Sequence, residues 1–131
     1  MNIAPFLAAP PLVQLHATAA LAAFALGAWQ LAAPKGTLPH RTIGWAWVVL
    51  MAAVALSSFG ITGGRGAGRF SWIHGISLFT LLALPVAVTH VRRGRTESHR
   101  WLMVGLFLGA LVITGAFTLL PGRLMGRIVF S

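Results

Sequence analysis

Cysteine is absent from these 131 residues, and acid is nearly so: Glu97 is the one carboxylate side chain against ten lysines and arginines. The first absence excludes disulfides, thiolate metal sites, iron–sulfur clusters and covalently attached haem, and leaves the redox compartment unreadable. The second excludes chemistry that needs a carboxylate pair, of the glycosidase or aspartic-protease kind. Charge of either sign is scarce, at 8% of residues against roughly 25% in soluble domains. A water-facing surface cannot be covered with so little. Apolar residues are abundant instead, at 57% with a mean hydropathy of +0.84. The chain reads as a single membrane domain over residues 1–131.

A spanning helix needs about 20 mostly apolar residues. Four runs qualify, at about 12–33, 42–61, 70–91 and 101–120. Breakers or charges bound each of them. Pro10-Pro11 and Pro34-Lys35-Gly36 flank the first, and glycine-rich 60–69 separates the second from the third. Arg92-Arg93-Gly94-Arg95 ends the third, and Pro121-Gly122-Arg123 ends the fourth. No run alternates with period two, and open sheet edges are not tolerated in lipid. The expected fold is all-α, an integral membrane four-helix bundle. The first run lacks a positive leader and is longer than a signal-peptide core, which favours a retained span. Pro85 is expected to kink the third span, and Trp29, Trp45, Trp47, Trp72 and Trp101 to form interfacial belts.

A net charge of +9 in a soluble chain would suggest nucleic acid. Here the basic residues sit in short loops, where they meet anionic lipid and set orientation, so no nucleic-acid partner is expected. Four spans put both termini on one side. That side and the second loop carry Arg65, Arg69, Arg123 and Arg127; the opposite loops carry Lys35, Arg41, Arg92, Arg93, Arg95 and Arg100. Six against four predicts a cytoplasmic basic end and termini outside.

The two halves share landmarks in order: His16, Lys35-Gly36 and His40-Arg41, then His74, Arg93-Gly94 and His99-Arg100. The steps from His16 to His40 and from His74 to His99 differ by one residue. This predicts two repeated helical hairpins. It also pairs His16 with His74 and His40 with His99, each pair at matched depth on parallel helices lying diagonally across the bundle.

Ionisable groups are expensive within a bilayer and mark function there. Haem takes two axial ligands on opposite faces, and the porphyrin supplies the rest. Paired His16/His74 and His40/His99 would hold one or two haem b groups, and Arg41 and Arg100 would grip propionates. Gly27, Gly44, Gly75, Gly105 and Gly109 would leave room for a macrocycle, or allow plain close packing. The competing bland use of each histidine is a hydrogen bond to a headgroup or neighbouring helix. His90 lies about 160° round the helix from His74 and is expected to snorkel to the interface. Gln30 suits a quinone carbonyl, although bridging helices is the commoner use. Ser57-Ser58 have no base or acid in sight, which argues against a nucleophile. Glycine-rich 63–69 lacks the preceding strand and following Lys-Ser/Thr of a P-loop and reads as a connector.

His16, Gly27, Trp29-Gln30, Lys35-Gly36, His40-Arg41, Gly44, Ser57-Ser58-Phe59, Ile73-His74, Gly94, His99-Arg100, Met103, Gly115, Phe117-Thr118 and Pro121-Gly122-Arg123 together resemble the domain of unknown function 2306 family. These are bacterial membrane proteins, and the family name carries no activity. The resemblance implies a multi-pass protein of the bacterial inner membrane. The histidine order is also similar to the di-haem cytochrome b561 type, in which alternate helices supply each haem's ligands. Two functions are therefore expected to compete. One is a b-type cytochrome-like electron carrier or transmembrane oxidoreductase, exchanging electrons with a quinone or partner redox subunit. The other is a non-catalytic accessory subunit that packs against a larger membrane complex without haem. A small transporter lacks the intramembrane acid that proton-coupled versions use.

Overall fold

A computed structural model describes residues 1–61, 72–121 and 123–130. The glycine-rich connector, Arg65, Arg69 and the expected start of the third span at 70 lie outside the described residues. The described residues form α1 (Ala4–Leu7), α2 (Pro11–Ala32), α3 (Leu38–Ser58), α4 (Trp72–Arg92), α5 (Thr96–Leu106), a π-helix (Phe107–Ile113), α6 (Thr114–Thr118) and α7 (Leu124–Phe130). No strand occurs among them.

Four stretches are long and apolar enough to cross a membrane: Pro11–Ala32, Leu38–Ser58, His74–Arg92 and Thr96–Thr118. At 1.5 Å per residue the 22 residues of α2 reach roughly 33 Å, enough for a hydrocarbon core of about 30 Å. The second and fourth spans begin four to five residues earlier than the apolar runs suggest. Thr37 caps α3, its Oγ1 accepting from the His40 amide at 3.2 Å, and Pro39 fits the first turn. Glu97 occupies the first turn of α5, where the helix dipole favours an acid. Polar first turns are held by caps and dipoles, which an apolar run cannot report.

Each span packs against the next, and the π-helix closes the ring against α2. Spans one and three therefore lie on one diagonal, and two and four on the other. The hairpin turns match: Gly36 and Gly94 adopt φ of 76° and 77°, and each precedes the next helix by two residues. Such left-handed backbone favours glycine. Ala23, Trp47, Met51, Ala83, Leu84, Leu106, Phe107 and Leu111 form the core. Leu21, Phe24, Val49, Leu78, Phe79, Leu82 and Ile113 point outward, as lipid contact requires.

Of the tryptophans expected to form belts, Trp29, Trp45 and Trp101 are exposed and Trp47 is not, while the Trp72 side chain lies outside the described residues. Trp47 is 3% exposed, and its indole Nε1 donates to the Ala23 carbonyl at 3.0 Å. It is a core residue because that carbonyl gives its buried N–H a partner. The helix α4 runs through Pro85, whose carbonyl accepts from Thr89 Oγ1 at 2.7 Å. At the termini end, α1 packs on α7, with the Asn2 amide donating to the Ile128 carbonyl at 2.9 Å.

Candidate functional site

The pair at the termini end converges on one turn. His16, from the second turn of α2, places Nδ1 2.8 Å from Ser57 Oγ at the end of α3. Ser57 donates its single hydrogen to the Val54 carbonyl at 3.0 Å. With Ser57 so engaged, His16 donates to it in the tautomer that carries its proton on Nδ1. His74, from α4, is 7% exposed and stacks on Phe59, with ring centroids 5.7 Å apart. Between them Ser58 Oγ and Ser77 Oγ are 2.5 Å apart and buried. Ser57-Ser58-Phe59 thus touches His16, Ser77 and His74 in succession. The sequence displays this triplet but not its partners, because these contacts depend on how neighbouring helices are set against each other.

The basic end holds the second pair. His40 and His99 stand in the first turns of α3 and α5, which lie on one diagonal of the bundle. His99 Nδ1 bonds the Ala87 carbonyl at 2.9 Å. A carbonyl only accepts, so Nδ1 carries the proton and Nε2 presents a lone pair. Ligating histidines are oriented in this way by a bond from the other ring nitrogen. His40 Nδ1 is buried without a hydrogen-bond partner, and so is Gln30 Oε1 beside it. Gln30 Nε2 donates to the His40 carbonyl at 2.8 Å, so this amide bridges α2 and α3. Gly44 leaves room for it, since a Cβ there would lie 3.5 Å from Nε2. Buried polar atoms without partners are rare in folded proteins and call for an explanation, a ligand or water being the usual one.

Arg41 and Arg100 follow the two histidines directly and are exposed, with Arg100 resting 5.7 Å over the Trp101 ring. The Trp101 indole N–H donates to Glu97 at 2.9 Å. Lys35 Nζ donates to the Gln30 and Ala33 carbonyls, neutralising the end of α2. His90, expected to snorkel, is half-buried, with its Nδ1 buried and without a hydrogen-bond partner.

The glycines divide. Gly27 is a close-packing residue, because a Cβ there would lie 2.5 Å from Phe107 Cδ2. Gly75, Gly105 and Gly109 have nothing within 4 Å, and the first two face outward rather than into the bundle. Mid-bundle is filled by Trp47, Met51 and Phe107. A flat group is therefore excluded from mid-bundle. Among the described residues no cluster of three or more His, Cys, Asp or Glu could hold a metal ion. A bare metal site is therefore unsupported, whereas bis-imidazole ligation needs only two side chains.

No curated protein and no solved structure matches the chain, so the likeness to di-haem cytochromes rests on histidine order alone. A family model described as a predicted membrane protein (DUF2306) matches residues 13–129, nearly the whole length, and the chain belongs to that family.

Proposed function

We propose that the protein is a membrane electron carrier of b-type cytochrome kind, with haem b held at the basic end by His40 and His99. One observation carries the reading. The two imidazoles stand in the first turns of diagonal helices at one end of the bundle, one oriented by the Ala87 carbonyl and the other with its Nδ1 buried and unpartnered. Haem would supply one-electron chemistry, and His40 and His99 would supply its ligation and orientation. Arg41 and Arg100 stand next to the ligands, where a guanidinium pairs with a propionate. His16 and His74 offer a second site at the termini end. A quinone or a partner redox subunit is the natural exchange partner. The six-to-four loop charges support a cytoplasmic basic end, and the family resemblance a bacterial inner membrane.

A second reading is an accessory subunit without haem, favoured by the side chains that fill mid-bundle. Visible spectra of protein made in haem-replete cells separate the two. The carrier shows a Soret band, and His40→Ala and His99→Ala remove the same component while His90→Ala removes none. A further component lost with His16→Ala or His74→Ala adds an outer haem. No Soret band at all retires the carrier in favour of the accessory subunit.

A further inference from the structure

A groove of about 460 Å³ runs between α3 and α4 on the bundle surface, away from all four paired histidines. Trp45, Val48 and Ala52 line one wall, and Leu81, Leu84 and Val88 the other. Trp45 lies two turns into α3 and Thr89 three residues before the end of α4, so both mark the mouth at the basic end. From Trp45 to Ala52 the groove descends roughly 10 Å, most of one leaflet's hydrocarbon depth of about 15 Å. Its walls are almost wholly apolar. Its one hydroxyl, Thr89, is already bonded to the Pro85 carbonyl. The other side-chain donor in the lining is the Trp45 indole N–H, at the mouth rather than deep in the groove, so the interior suits an acyl chain better than a quinone ring.

The mouth is cationic. The Arg92 guanidinium lies 5.6 Å over the Trp45 ring, at the rim of the groove, and Arg93 and Arg95 follow it in the turn. We propose that this groove is a binding site for an anionic phospholipid, with one acyl chain between α3 and α4 and the phosphate held at Arg92. The charge complementarity is strong because the same end carries six basic residues and one acid. The site does not depend on haem, and its test reads lipid alone.

The test uses full-length protein in nanodiscs or mild detergent, with native mass spectrometry counting retained lipid. Dioleoyl phosphatidylglycerol should stay bound, one per chain, where dioleoyl phosphatidylcholine washes away. Arg92→Gln should weaken phosphatidylglycerol about fivefold, the effect of one surface cation on anionic lipid. Arg123→Gln, at the opposite end, should leave it unchanged although it alters net charge equally. Val88→Trp should fill the groove and release the lipid from a protein that still unfolds cooperatively. Equal retention of both lipids, equal loss with Arg92→Gln and Arg123→Gln, or co-purification of a quinone in place of phospholipid would each overturn the proposal.

Discussion

A methyl group at Gly27 would lie 2.5 Å from Phe107 Cδ2 and 2.9 Å from Trp47 Nε1. Neither neighbour can yield cheaply. Phe107 is stacked on Phe24 at 5.6 Å, and the Trp47 indole is committed to the Ala23 carbonyl. Overpacking of this kind costs about 1–3 kcal/mol, so Gly27→Ala should lower stability by that amount in detergent unfolding experiments. Gly75→Ala meets nothing within 4 Å and should be neutral or stabilise by about 0.5–1 kcal/mol, since alanine is the better helix former. Equal effects at the two positions would refute the assignment of Gly27 to close packing. Both glycines stand in apolar runs with nothing local to separate them. What distinguishes them is which helix face meets a neighbour, and an almost uniformly apolar chain carries little periodicity to reveal it. The same reason hides the contact of His16 with Ser57 and the burial of Trp47, while the histidines themselves are conspicuous because the surrounding runs are so apolar.

Among the helices, the spans and their order are legible because lipid imposes length and apolarity on each. The hairpin turns are legible too, since Lys35-Gly36 and Arg93-Gly94 repeat before each His-Arg. Their shared φ near +76° gives the repeat a measurable consequence. A side chain in left-handed backbone costs about 1–2 kcal/mol. Gly36→Ala and Gly94→Ala should therefore each destabilise by about that much, and by similar amounts, in thermal unfolding. A large loss at one and none at the other would mean the two turns carry unequal strain and weaken the duplication argument. The π-helix Phe107–Ile113 is different. Its wider turn needs neighbours to compensate its geometry, here Phe107 and Leu111 buried in the core, and no residue pattern announces that. It breaks the symmetry between the second helices of the two hairpins.

For the molecule as a whole, the pairing of α1 with α7 was not foreseeable, because each is too short to stand out against the spans. Its effect is to hold both termini together at one end, through the bond from the Asn2 amide to the Ile128 carbonyl. Reporters fused to either terminus must therefore agree. The loop charges predict that both lie outside the cytoplasm, so a reporter active only there should give signal from the C-terminus and a cytoplasmic one should be silent. The margin is six basic residues against four, small enough to reverse. Three lysines added after Ser131 would make it six against seven and should shift part or all of the population to the opposite orientation. Both reporters would then respond in the predicted sense, falling outside and rising inside. If the unmodified chain already lights the cytoplasmic reporter, the charge argument is wrong although the four spans stand. If the termini disagree, the number of crossings is odd and the four-span architecture itself fails.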